Sequence, residues 1–203
     1  MVIGGELIKK VFYKCKWADN TRIVGLLKIL YFNVAKINRF IIFEWDISEN
    51  IDAMITNSSQ YEIAIVDSKE LSKYLQGNKL LPREFYMNVI GGLKHCVSAI
   101  KDNQIIHICW IYMAGDKNRF FNIKPDEAHL DYAFTFPEYR GLRLNIQSHL
   151  KAARWLKEQN IRRILLGVHE DTKYMLSSLE KIAKIKQIGT LTHWFIYRPK
   201  FKG

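Results

Sequence analysis

One segment restricts the fold more than any other. Residues 128–136 alternate in apolar and polar character, as a strand does, and run into Pro137. The chain then turns through Glu138-Tyr139-Arg140-Gly141 and enters an amphipathic helix over about 142–159, with Leu144, Leu150, Ala153 and Leu156 on its apolar face. A second strand over 163–168 follows. A helix that begins directly after a strand leaves its first backbone N–H groups without internal partners and turns its positive dipole end towards the turn. That arrangement cradles a phosphate or pyrophosphate. Gly141 lets the backbone come close to a ligand, and Arg140 and Arg143 add side-chain charge. Many helix starts share these features and bind nothing, so the other elements matter.

The rest of the chain reads as helices, then an antiparallel meander, then alternating strands and helices. Helices are expected over 5–16 and 21–37; the second carries Ile23, Leu26, Leu27, Leu30 and Val34 at helical spacing. Strands are expected over 39–47 and 61–66, a short capped helix to Leu75, and a helix from Pro82 to Gly91-Gly92. Apolar runs over 94–100 and 104–113 flank the polar triplet Lys101-Asp102-Asn103, which reads as a hairpin. After the strand over 163–168 come a helix over 172–183 and closing strands around 186–189 and 192–198. The expected fold class is α/β (α+β): a mixed, mostly antiparallel central sheet with helices on both faces and an extra N-terminal helical segment over 1–38. No Pro-rich or Gly/Ser-rich linker divides the chain, so a single domain over 1–203 is expected, with its core over 39–200.

Charge points to an anionic ligand. Of a net +11, the segment 137–203 carries +9. Such a bias suits phosphates, nucleic acid or an acidic surface, and equally a set of solvated helix faces. The aromatic residues fall in strand runs that read as core, and no motif that reads RNA or DNA is present, so no nucleic-acid partner is expected. The cysteines Cys15, Cys96 and Cys109 are odd in number and scattered, which excludes a disulfide framework and a cysteine-based zinc site. The histidines show no ligand spacing, so no metal is expected. No run approaches the roughly 18 uncharged apolar residues of a membrane span, and the first residues lack a signal-peptide core. A cytoplasmic protein without integral membrane association is expected.

The run F-P-E-Y-R-G-L-R-L-N, between a strand and a long helix, resembles the acyl-CoA-binding motif of the GNAT-type N-acetyltransferase superfamily. Element order is similar from about Phe43 to Pro199. The resemblance implies a sheet in which two neighbouring strands splay apart and hold acetyl-CoA, the acyl donor, in the gap. It implies pyrophosphate binding at Arg140, Gly141, Leu142, Arg143, Leu144 and Asn145, and pantetheine pairing with the main chain of Phe134, Thr135 and Phe136. Arg143 and Asn145 stand where small residues are usual in the motif. Thr135 and its neighbours would also serve as ordinary core strand residues, because only their main chain is needed.

Acetyl transfer to an amine requires the amine deprotonated, the carbonyl polarised and the leaving thiolate protonated. The resemblance implies direct attack in a ternary complex, with no nucleophilic cysteine. Candidates for the base are His129 and Asp131, which alternate along the motif strand; both are also ordinary polar residues for a strand end. Glu44 and Asp46 are weaker candidates for an acceptor pocket. The position that often holds an acid tyrosine in the superfamily is Leu179 here, so Tyr174, earlier on the same expected helix, is the substitute. An N-acyltransferase acting on a small-molecule amine therefore stands beside a catalytically degenerate CoA-binding protein. A homodimer is compatible with either.

Overall fold

The computed structural model describes residues 37–48, 60–75, 81–179, 182, 184–194 and 197–202. The expected helices over 5–16 and, but for Ile37, over 21–37 lie outside these residues. Among the described residues seven strands form one sheet: β1 (Asn38–Asp46), β2 (Glu62–Asp67), β3 (His95–Lys101), β4 (Gln104–Tyr112), β5 (Glu127–Thr135), β6 (Arg163–His169) and β7 (Ile185–His193). Their spatial order is β2-β3-β4-β5-β6-β1-β7. Every neighbouring pair is antiparallel except β5 and β6. The helices are α1 (Leu71–Tyr74), α2 (Met87–Gly91), α3 (Leu144–Glu158) and α4 (Lys173–Leu179). The mixed, mostly antiparallel α/β fold is therefore the one expected.

Local chemistry explains the meander. Asp102 and Asn103 hold φ of 49° and 59°, the left-handed pair that a two-residue hairpin loop requires. The segment after Pro82 begins as a 3-10 turn, Arg83–Tyr86, and continues as α2, which stops where Gly92 takes φ +69°. The closing strands expected around 186–189 and 192–198 are instead one strand, β7, followed by an isolated bridge between Trp194 and Tyr197. β1 departs further from chain order, because it is inserted between β6 and β7, antiparallel to both.

Two layers cover the sheet. On one face, Leu150, Ala153 and Leu156 of α3 and Leu179 of α4 pack with Val97, Cys109, Ile111, Leu130 and Leu166. On the other, Phe85, Met87 and Leu71 cover Ile108 and Trp110, while Phe120 and Phe121 of the 113–126 loop cover Phe40, Ile42 and Leu165. Trp110 is wholly buried, and its indole N–H donates to the Glu84 carbonyl. An aromatic side chain of that size contributes on the order of 2–3 kcal/mol by burial.

The parallel pair β5–β6 is short. Its register runs from Glu127↔Arg163 to Leu130↔Leu166 and ends there. At the closed end Arg163 bonds Glu127 at 2.7 Å and Glu44 at 3.3 Å, tying β5, β6 and β1 together. Past Leu130 a bulge intervenes: Tyr132 takes φ 53°, and the β4–β5 register shifts between Ile108 and Trp110. From the bulge on, β5 follows β4 while β6 follows β1, and the sheet opens.

Candidate functional site

The opening is a cleft of about 890 Å³. It runs through the sheet, since its walls include Leu130, His149 and Met175 from the α3 side and Phe40, Glu84 and Arg119 from the opposite side.

At one end stands the start of α3. Tyr139, Arg140, Gly141, Arg143, Leu144 and Asn145 line it. Gly141 holds φ +85° and Arg143 holds φ 58°. The left-handed backbone at Arg143 is a conformation that glycine adopts freely and that costs other residues about 1–2 kcal/mol. A small residue suits that position for this reason. No side chain caps the helix, and the first amide with a partner is that of Gln147, which donates to the Arg143 carbonyl at 3.1 Å. The N–H groups of Leu144, Asn145 and Ile146 therefore have no protein acceptor among the described residues. The Asn145 amide Nδ2 lies 2.9 Å from Met175 Sδ, so α3 and α4 touch across the cleft.

The strand wall is β5. Phe136 N–H donates to the Ile106 carbonyl, and Phe134 is paired with Ile108. By alternation, the N–H and C=O of Thr135 face away from β4 and into the cleft, on an edge that β6 no longer covers. The Thr135 hydroxyl bonds His107 Nδ1 at 2.7 Å. The rings of Phe134 and Phe136 pack against Phe85 on the other face, and neither Phe136 nor Leu142 lines the cleft.

The base candidates separate. Asp131 lines the cleft, 3.3 Å from Arg119, and its Oδ2 is buried without a hydrogen bond. His129 is fully buried and does not line the cleft. Asn118 Oδ1 accepts the amides of Phe120 and Phe121, so its Nδ2 donates to His129 Nδ1 at 2.6 Å. Burial, opposed by the Asp131 charge, takes the imidazole down to about 4. His129 thus holds the Asn118–Phe121 loop. The Asn118–Phe121 loop covers His129, while the bulge opens the sheet just past Asp131.

Tyr174 lines the cleft at 78% exposure. Leu179 is buried in the core. Glu44 serves Arg163, and Asp46 caps Ser48; neither borders the cleft. Among the described residues no cluster of His, Cys, Asp or Glu is arranged to hold a metal, and no helix is long and apolar enough to cross a membrane.

Sequence reading missed three cleft residues. Glu84 sits in the 3-10 turn after Pro82; burial raises its carboxyl above the ordinary value. Arg119 stacks over the Phe120 ring at 4.2 Å, with Tyr132 at 5.2 Å and Phe40 at 5.5 Å. His149 lies one helical turn after Asn145, its Nε2 3.9 Å from the Cys109 sulfur; burial takes it down to about 4. Burial also pushes the Cys109 thiol up, so it is no thiolate nucleophile. The i, i+4 helix spacing from Asn145 is the signal that could have found His149; nothing local marks the other two.

The fold is that of the GNAT-type N-acetyltransferases. A GNAT-family protein from Novosphingobium aromaticivorans superposes with a TM-score of 0.54 at 10% identity, over 78% of this chain and 64% of that one. A GNAT-family acetyltransferase from Colwellia psychrerythraea gives 0.52 at 10% identity, over 85% and 61%. A tandem GNAT protein of the clavulanic acid biosynthesis pathway gives 0.55 at 12% identity, over 83% and 57%. The chain thus spans 57–64% of the length of these solved chains. The sequence matches no protein-family profile and no curated protein.

Proposed function

We propose that this chain is an N-acyltransferase that moves an acetyl or other acyl group from its CoA thioester to a primary amine of a small molecule. The observation that carries the reading is the set of unpartnered amides at Leu144, Asn145 and Ile146, set beside the open Thr135 edge in one cleft. Amides that point outward at a positive helix end suit a pyrophosphate. An uncovered strand edge suits the amide-bearing pantetheine arm. Arg140 and Arg143 flank the same turn and supply charge. The thioester would then reach the bulge, where Asp131 faces the cleft. There the amine nitrogen attacks the thioester carbon, the C–N bond forms, the C–S bond breaks, and the thiolate takes up a proton. Tyr174, at the cleft rim on α4, gives that proton; His129 acts only by holding the loop behind Asp131.

A CoA-binding protein without turnover is the second reading. It is favoured by Leu179, a buried residue with no proton to give. Calorimetry with acetyl-CoA and with CoA tests what both readings share, and both predict saturable binding. Arg140→Ala should weaken that binding by about 1–3 kcal/mol, the scale of a charged hydrogen bond. An unchanged affinity would mean that the phosphate turn lies elsewhere. A thiol-release assay against amines separates the readings, because steady release of CoA occurs only with a catalyst.

A further inference from the structure

The half of the cleft away from α3 carries its own recognition chemistry. Arg119 is fixed on two sides. Its guanidinium lies over the Phe120 ring at 4.2 Å, and NH2 stands 3.3 Å from Asp131 Oδ2. Its Nε and the other terminal nitrogen have no protein partner among the described residues. A planar guanidinium held by stacking, with donors to spare, is suited to a carboxylate. On the same side of the cleft, Glu84 has no ion pair among the described residues, although Arg83 is its chain neighbour. The Arg83 guanidinium is turned to the Tyr132 ring, 5.5 Å away. An unpaired, half-buried carboxylate is a seat for an ammonium group. Asp131 cannot serve equally, because Arg119 already neutralises it. Phe40 and Tyr132 add aromatic wall to this part of the cleft.

We infer that the acceptor is a free amino acid, its carboxylate held by Arg119 and its ammonium by Glu84. The inference rests on the acyl-transfer reading and narrows it to one class of amine. Glu84 takes one proton from the bound ammonium, and the freed nitrogen attacks the thioester carbon. The new C–N bond gives an N-acyl amino acid, and the C–S pair leaves as CoA thiolate. A second proton lost from nitrogen compensates the one that the thiolate gains.

The test uses the unaltered protein with saturating acetyl-CoA. Thiol release is measured with free L-amino acids, each beside its carboxamide and its decarboxylated amine. At least one amino acid should exceed both partners at least tenfold in kcat/KM. Equal or better turnover of the carboxamides or decarboxylated amines would overturn the inference and leave acyl transfer standing. So would acetyl-CoA binding with no amino acid accepted. Failure to bind acetyl-CoA would instead remove the acyl-transfer reading itself. Arg119→Gln adds a within-variant comparison: KM should rise at least tenfold for the amino acid, while the decarboxylated amine, which has no carboxylate to lose and gains the freed Asp131, shows no rise. A loss shared by both substrates would assign Arg119 a structural role and count against the inference. Glu84→Gln should lower kcat for the amino acid and shift the acid limb of its pH profile, with acetyl-CoA affinity unchanged.

Discussion

Acidification from pH 7 to pH 4 should unfold this protein. His107, His129 and His149 are buried, and burial takes them down to about 3, about 4 and about 4. In the unfolded chain each titrates near the ordinary 6.5. Between 6.5 and those values the unfolded state binds protons that the folded state refuses, so stability rises with pH in that window and is lost as pH falls through it. A shift of 6.5 to about 4 corresponds to roughly 3 kcal/mol per histidine at the acid end. The sum is comparable with the roughly 5–15 kcal/mol that holds a typical domain together. Glu84 works the other way, since its raised carboxyl is relieved by acid, but it is a single group. Denaturant midpoints from pH 8 to pH 4 measure the effect. They should be flat above about pH 7 and fall steeply below 6.5. His107→Gln should make the fall shallower, because it removes one refused proton. Midpoints that stay level to pH 4.5 would contradict the burial of these rings.

The same histidines show what a sequence conceals. His129 and Asp131 are two residues apart on one strand, and alternation sets them on a common face. Alternation held as far as Asp131, but facing the same side did not mean facing the same space. The Asn118–Phe121 loop covers His129, and the bulge at Tyr132 opens the sheet just past it. Neither loop contact nor bulge has a local signature. Signals that act within a few residues were readable: the hairpin at Asp102-Asn103, the stop at Gly92, and the strand–turn–helix around Pro137. β1 was recognisable as a strand from its own composition, yet its insertion between β6 and β7 is a pairing of residues far apart in sequence. Arg119 and Glu84 were missed for the same reason. Each comes from a loop or short turn, and only the folded sheet brings them to one cleft.

The largest effect on ligand binding should come from reversing the charge at the start of α3. In Arg140→Glu/Arg143→Glu, two cations beside the unpartnered amides become two anions. The lost charged hydrogen bonds amount to about 1.5–3 kcal/mol each, and repulsion of a pyrophosphate adds to them. CoA affinity should fall by at least a hundredfold. Folding should move little, or in the opposite direction. Both side chains are exposed, and carboxylates near a helix N-terminus are favourable by about 0.3–1 kcal/mol. That opposition distinguishes a broken site from a broken protein, because a general loss of structure lowers melting temperature and affinity together. Added salt tests the electrostatic origin: raising ionic strength should weaken CoA binding to the unaltered protein more than to the double variant. If the variant binds CoA as the unaltered protein does, the amides at Leu144–Ile146 serve no phosphate, and the donor site must be sought elsewhere on the chain.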